Sequence, residues 1–444
     1  MELKYAVVNQ RISLLKNLKK VILANEKAIY EALDHDFKKP AFESYITEFQ
    51  YTINELDFTI RKLKSWSKPK FVLPSLVNFP STESIYYEPY GKVLVVSPWN
   101  YPFQLALVPM LGAFAAGNQV VLKPSEISHH TSKIIEKIVT DVFKTTEIEV
   151  VLGDGNVAQK LLSERWDYIF FTGSTKVGKI VAEAAAKFLT PCTLELGGKN
   201  PCIIDETANI EIAAKRIVWG KFLNAGQTCV APDFLIVQAK EKYNLIEALR
   251  KEIIFFYGEN PKSSPDFARI INHSHWERLQ NLISEKNILF GGETDKIEKY
   301  IAPTLLEIND LDAEIMQDEI FGPLLPILTY NENEELMPFL KKFDKPLAFY
   351  LFSENKTFIN NLIQNTSAGG VCVNDTIVQL INHRLPFGGV GMSGSGAYHG
   401  KHTFLTFSHQ KSVVKRATWI DLPVKYAPYD KKLRWMKRLL KFVK

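Results

Sequence analysis

Between residue 7 and about residue 70, apolar side chains recur three and four positions apart, as in Leu14, Leu15, Leu18, Val21 and Ile22, which predicts an α-helical lead-in. The pattern changes at residues 84–97. There Ile85-Tyr86-Tyr87-Glu88-Pro89-Tyr90-Gly91-Lys92-Val93-Leu94-Val95-Val96 forms two β-rich runs about a Pro/Gly turn, and a hairpin feeding a buried strand is expected. Beyond it short apolar runs (93–96, 119–122, 148–152, 168–172) alternate with helical stretches after Asn100, at 131–143 and from Val157. Strand, helix, strand in repetition predicts a parallel sheet with helices on both faces, the plan of a nucleotide-binding α/β domain. A second α/β region is expected from about Gly197 to His399, with strands at 201–204, 234–237, 325–329, 348–352 and 370–373. Nothing repeats internally and no low-complexity linker separates the regions, so they should pack closely and leave a cleft.

The most apolar stretch, 103–122, is interrupted by Pro109, Gly112, Gly117, Asn118 and Gln119. It fails the unbroken run of about 20 residues that a membrane helix needs and reads as a buried helix entering a buried strand. Composition adds little that is special: 46% of residues are hydrophobic and 23% charged over 444 positions, ordinary for a globular chain of two or three domains. The 54 basic and 49 acidic residues are spread along the whole length, so the net charge of +5 is no field for nucleic acid. The exception is 431–444, where bases alternate with apolar residues at near-helical spacing and predict a basic amphipathic helix able to meet a membrane surface peripherally. Cys192, Cys202, Cys229 and Cys372 form no CxxC and no Cys/His cluster, which excludes a disulfide framework and a zinc site and fits a cytoplasmic location.

Two segments have dinucleotide-type glycine spacing. Gly153-Asp154-Gly155-Asn156 follows a strand-like run and opens a helix, but no acidic strand end stands about 20 residues on. Gly389-Val390-Gly391-Met392-Ser393-Gly394 is followed by more glycine and reads as a loop. At Phe171-Thr172-Gly173-Ser174 a strand ends where a helix begins, and bare amides with a hydroxyl at a helix N-terminus suit a diphosphate as well as they suit a structural turn. Cys229, in Asn224-Ala225-Gly226-Gln227-Thr228-Cys229, is either a small buried hydrophobe or a nucleophile among small polar neighbours. Glu195, between leucines and before Gly197-Gly198, is either paired with Lys199 or a desolvated base that could activate water. Asn100, between Pro98 and Pro102, is either a helix N-cap or a donor to a developing oxyanion.

Together Pro98-Trp99-Asn100, Leu122-Lys123-Pro124-Ser125-Glu126, Phe171-Thr172-Gly173-Ser174, Leu194-Glu195-Leu196-Gly197-Gly198-Lys199, Gly226-Gln227-Thr228-Cys229, Glu319-Ile320-Phe321-Gly322-Pro323 and Leu385-Pro386-Phe387-Gly388-Gly389 resemble the aldehyde dehydrogenase superfamily, in that family's order. The strings around Pro98-Trp99-Asn100-Tyr101-Pro102, Cys229-Val230-Ala231-Pro232-Asp233 and Tyr398-His399-Gly400-Lys401 resemble its class 3, the fatty-aldehyde type. The resemblance implies NAD(P)-dependent oxidation of an aliphatic medium- or long-chain or aromatic aldehyde to the acid. Cys229 would be the nucleophile, Asn100 and the Cys229 backbone N–H the oxyanion hole, and Glu195 the base for thioester hydrolysis. It implies Gly173 and Ser174 at the pyrophosphate with Val177 and Gly178 behind them, Lys123 and Glu126 at the adenosine ribose, Glu319 at the nicotinamide ribose, and Trp99 and Phe321 beside the cofactor. A Glu at the 2′-hydroxyl favours NAD, with NADP accepted by many class 3 members. It further implies a homodimer and an architecture of an NAD-binding Rossmann-like domain (1–83 and 98–196), a catalytic α/β domain (197–407), oligomerisation strands (84–97 and 408–425) and the basic tail (426–444). A CoA-acylating reaction and a non-catalytic NAD-binding scaffold are the alternatives; the first has no use for a water-activating Glu195, and the second none for the set Cys229, Glu195 and Asn100.

Overall fold

A computed structural model describes residues 2–283, 287–421, 423–430 and 432–441. The lead-in forms the helices Glu2–Ala24, Glu26–Phe37 and Gln50–Trp66, the last reached through a short helix Ala41–Ser44 and a π-helical turn Tyr45–Phe49. Helix ends at Trp66, a few residues before the sequence pattern suggested, because Lys70–Val72 already pairs as a strand.

The first large sheet has six strands in the spatial order Gly394–Ser395, Cys192–Glu195, Tyr168–Thr172, Lys92–Val96, Gln119–Lys123 and Ile148–Val150. All neighbours are parallel except the short edge strand Gly394–Ser395. Val93, Leu94 and Val95 are sealed on both faces, which is why the central strand is apolar without alternation. The stretch 103–122 is the expected buried helix, Pro102–Ala116, running into the strand Gln119–Lys123. Pro102 opens this helix, Gly117 at φ 102° closes it, and every residue but Gln104 is buried.

A second sheet of seven strands runs in the order Asn287–Phe290, Thr304–Glu307, Leu324–Tyr330, Phe234–Gln238, Pro201–Ile204, Ala348–Phe352 and Gly370–Val373, parallel but for the first. All five strands expected in this region are present. Thr304–Glu307 was not anticipated, since four residues after a proline are too short to show a period.

A third sheet joins Lys70–Val72, Ser81–Pro89 and Ser408–Arg416, the last two in an antiparallel register from Ser408 against Pro89 to Arg416 against Ser81. This corrects the expected hairpin: the two runs about Gly91 do not pair, and Lys92–Val96 leaves for the centre of the first sheet. Apolar residues on both faces need cover on both sides, which a projecting arm cannot supply. Tyr398, Phe404 and Phe407 pack in the core of the first sheet, and Gly394 pairs with Glu195. The tail carries a helix, Lys432–Lys441, with Leu433 and Trp435 exposed; residues 431 and 442–444 of the predicted amphipathic segment lie outside the described residues.

Candidate active site

Residues from both large α/β units line a groove of about 550 Å³, and a second cavity of about 220 Å³ adjoins it at Cys229. The groove carries several charged and polar side chains and is lined from the first domain by Trp99, Asn100, Gly173, Ser174 and Glu195, and from the second by Cys229, Glu319 and Phe321. The smaller cavity is lined mainly by apolar side chains, among them Leu105, Trp219, Leu223, Val230 and Phe387. Cys229 borders both, so one sulfur can be reached from two sides.

Three consecutive left-handed residues present that cysteine: Asn224 (φ 56°, ψ 32°), Ala225 (φ 52°, ψ 34°) and Gly226 (φ 75°). Each of the two with a Cβ costs about 1–2 kcal/mol relative to an ordinary conformation. Hydrogen bonds overdetermine the turn. Gln227 Nε2 donates to Asn224 O and Arg269 O at 3.0 Å each, and Gln227 Oε1 accepts from Ile271 N at 3.0 Å. Gly226 itself is obligatory, for a Cβ there would stand 2.3 Å from Gly322 O. Behind the loop, Tyr101 and Thr228 hydroxyls lie 2.6 Å apart.

Asn100 is buried and does not act as an N-cap. The helix begins two residues later, at Pro102, with Tyr101 in the cap position, and its first free amides, Phe103 N and Gln104 N, donate to Glu48 Oε2 at 3.1 and 2.9 Å. The Asn100 side chain instead donates to Gln227 O at 3.1 Å, two residues before Cys229.

Glu195 ends its strand 2% exposed, and neither carboxylate oxygen has a hydrogen-bond partner among the described residues. Burial holds its carboxyl well above the usual range. Lys199 is not its partner: it lies 2.6 Å from Asp233 and donates to Ile315 O at 2.8 Å. The glycine loop at 389–394, one of the two dinucleotide-like spacings, backs this strand by the pairing of Gly394 with Glu195, and its Met392 and Ser393 reach the groove. Burial first, and then the Glu319 and Glu195 carboxylates, push the Cys229 thiol up to about 12.

Glu319 approaches Gly197 so closely that a Cβ on that glycine would be 2.0 Å from Glu319 Oε2. The Gly198 amide hydrogen-bonds this carboxylate, Oε1 is left buried and unpartnered, and burial followed by repulsion from Asp233 lifts the group to about 8. Phe321, at φ 49°, sets its ring edge-on to Trp99 with centroids 5.3 Å apart. Ser174 caps the helix Thr175–Ala186 by accepting from Val177 N at 3.4 Å, while Gly178 allows that helix onto Leu196, whose Cδ2 would be 2.6 Å from a Cβ. Val177, Gly178, Lys123 and Glu126 are not among the residues lining the groove. Lys123 Nζ donates to Pro124 O at 2.9 Å and to Glu126 at 3.1 Å. At the other glycine spacing, the Asp154 side chain occupies its own helix N-terminus through Asn156 N and Val157 N.

Sequence reasoning did not single out Asn224, Glu43, Glu48, His275 or Arg278. Only the first lay in a quoted motif. The His275 ring lies at 49° to that of Trp99 with centroids 5.0 Å apart, and Arg278 donates to Ile320 O at 2.7 Å, both on the groove wall.

Two α/β units meet at a groove bordered by a cysteine that also lines an apolar cavity, the layout of an enzyme site at an interface between domains. The aldehyde dehydrogenase family model matches residues 2–413, and the chain belongs to that family. It is 47% identical over 429 residues to the 4,4′-diaponeurosporen-aldehyde dehydrogenase of Staphylococcus aureus, covering 96% of this chain and 94% of that one. It is 45% identical over 407 residues to a mouse dimeric NADP-preferring aldehyde dehydrogenase, covering 92% and 90%. The solved substrate-bound state of Staphylococcus aureus AldH superposes with a TM-score of 0.95 at 44% identity over 99% of both chains. The chain is an NAD(P)-dependent aldehyde dehydrogenase, as the resemblance implied.

Proposed function

We propose that the chain oxidises aldehydes by covalent catalysis on Cys229, with Asn100 as oxyanion donor and Glu195 as the base for hydrolysis. The carrying observation is that Cys229 borders both the polar groove and the apolar cavity, so aldehyde and cofactor can approach the same sulfur from opposite sides. The residues present fit a dinucleotide. Gly173 and Ser174 offer a helix N-terminus to the diphosphate, backed by Val177 and Gly178; the unpartnered Glu319 Oε1 suits ribose hydroxyls; Trp99 and Phe321 offer ring faces and edges; Lys123 and Glu126 would meet the adenosine ribose. When bound, the nicotinamide supplies the two-electron acceptor for the former aldehyde carbon.

Burial and the neighbouring carboxylates disfavour the thiolate, so the sulfur proton leaves as the C–S bond forms and ends on the former carbonyl oxygen. Attack makes a thiohemiacetal whose oxygen takes a hydrogen bond from the Asn100 amide and the Cys229 N–H. Oxidation leaves a thioester. Glu195, with both oxygens free, takes a proton from water as that water attacks the thioester carbon, and the acid departs. A carboxylate so free of partners favours water over CoA as the second nucleophile.

The apolar lining supports medium- or long-chain aliphatic or aromatic aldehydes as substrates, in keeping with the name of the Staphylococcus aureus relative. A homodimer is supported by the exposed edge of the third sheet, where Phe71 and Leu73 face outward, and by the dimeric mouse relative. No described helix is long and apolar enough to cross a membrane. Peripheral attachment through the helix Lys432–Lys441 is supported by its bases and by exposed Leu433 and Trp435, and removal of 431–444 should abolish co-sedimentation with anionic vesicles; a full chain that never sediments refutes it.

The central test follows NADH absorbance in wild type, Cys229→Ser and Glu195→Gln. Cys229→Ser should lose turnover, and Glu195→Gln should give one NADH per site and then stall. Equal steady rates in the three proteins would overturn the mechanism.

A further inference from the structure

The strained turn that presents Cys229 is anchored from the opposite end of the chain. Asn224 N cannot bond within a helix, because its backbone is left-handed, and it donates instead to Glu43 Oε2 at 3.0 Å, 181 positions away. The Asn224 side chain then donates to Asn100 O at 2.9 Å and to Gln227 O at 3.2 Å, and Gln227 O also accepts from the Asn100 side chain at 3.1 Å. Asn224 is therefore the knot between the segment carrying the oxyanion donor and the loop carrying the nucleophile. Glu43 holds the knot.

Glu43 belongs to a buried set in the helical lead-in. Lys39 Nζ, fully enclosed, is 2.9 Å from Glu48 Oε1 and 3.9 Å from the centre of the Tyr101 ring. Glu48 Oε2 caps the helix that starts directly after Asn100 and Tyr101. One carboxylate of the set thus grips the Asn100 side of the site and the other grips the Cys229 side, with Lys39 attracting both. Burial is the main influence on Glu43 and raises it to about 7; Lys39 and the Asn224 amide oppose that, and Asp266 adds to it. The oxygen facing Asn224 N accepts a hydrogen bond whether the group is charged or neutral.

We propose that Glu43 is a positioning residue for aldehyde oxidation, fixing Asn100 relative to Cys229 by accepting the Asn224 amide. This rests on the roles given above to Cys229 and Asn100. The side chain lines neither the groove nor the cavity, so it acts through the loop and not on substrate.

The test compares Glu43→Gln, which keeps an acceptor oxygen at the same reach, with Glu43→Ala, which has none, and Glu43→Asp, whose acceptor is drawn back by one carbon. The readout is the rate constant of the NADH burst per titrated Cys229 thiol at saturating aldehyde and NAD, with KM for each substrate. Loss of one hydrogen bond involving a charged or buried acceptor should lower the burst constant in the alanine variant by about tenfold or more. KM for NAD should stay within about twofold, because the groove is untouched. Glutamine should restore the constant to within about threefold of wild type, and aspartate should not. If the alanine variant proves insoluble, the glutamine and aspartate pair carries the same contrast. A folded alanine variant with the wild-type burst constant, or a glutamine variant as slow as alanine, overturns the proposal. Cys229→Ala, with the burst read per mole of protein, separates the two levels: if it too leaves the burst intact, the covalent mechanism itself fails.

Discussion

Gly197→Ala should weaken cofactor binding while leaving the fold and the cysteine chemistry in place. The added Cβ would stand 2.0 Å from Glu319 Oε2 and 2.5 Å from its Cδ, well inside contact distance. The obstruction is the end of a flexible side chain, and Gly197 does not need a left-handed backbone, so the protein relieves the clash by turning Glu319 away. What is lost is the placement of the Glu319 carboxylate in the groove, whose unpartnered Oε1 is suited to ribose hydroxyls. A hydrogen bond to a charged group is worth about 1.5–3 kcal/mol, so KM for NAD should rise roughly 10- to 150-fold. The melting temperature should move by only a few degrees, about what 1 kcal/mol does in a domain of 150–250 residues. Hydrolysis of an activated ester, which on the proposed mechanism uses Cys229 and Glu195 but no dinucleotide, serves as the internal control and should remain within about threefold of wild type. A well-folded Gly197→Ala protein with unchanged KM for NAD would refute the assignment of Glu319 to the cofactor; ester hydrolysis falling as far as dehydrogenation would refute the claim that the clash stays local.

Gly226→Ala should behave differently, because its Cβ would meet the Gly322 backbone carbonyl at 2.3 Å and the φ of 75° is itself unfavourable. Backbone cannot step aside as a side chain can, so the cysteine loop must shift: turnover should fall by about 10²-fold with a lowered melting temperature, and wild-type activity would contradict the account. The turnover phase that follows the burst should rise with pH. Burial holds Glu195 protonated over a wider range than a free carboxyl, only its ionised form is a base, and the rate therefore climbs as pH passes its raised value and levels above it; a Glu195-dependent rate already flat from pH 5 to 9 would contradict this. Glu126→Gln, at a side chain 44% exposed beside Lys123, should lower KM for NADP severalfold while raising that for NAD. Unchanged KM for both dinucleotides would remove the Lys123–Glu126 pair from the ribose site.

The sequence by itself determined the layers and marked the residues proposed to carry the chemistry. Runs such as Val93-Leu94-Val95 are apolar on consecutive positions, and only a strand covered on both faces satisfies that, so a doubly covered parallel sheet was legible. The resemblance carried by short strings named Cys229, Glu195 and Asn100 because such chemistry tolerates few substitutes at the reacting atoms. Tertiary structure alone decided whom each residue touches. Lys199 bonds Asp233 and Ile315 and leaves Glu195 unpartnered; Asn100 turns from a helix cap to Gln227; Glu48, 55 and 56 positions upstream of the amides it accepts from, caps the helix in its place. These are contacts between residues remote in sequence, and no local period encodes them. The same reason hid Glu43, whose partner Asn224 is reached only when the lead-in folds against the second domain. It also misled the reading at Gly91: local turn chemistry favours a hairpin, and the burial of two apolar strand faces outweighs it.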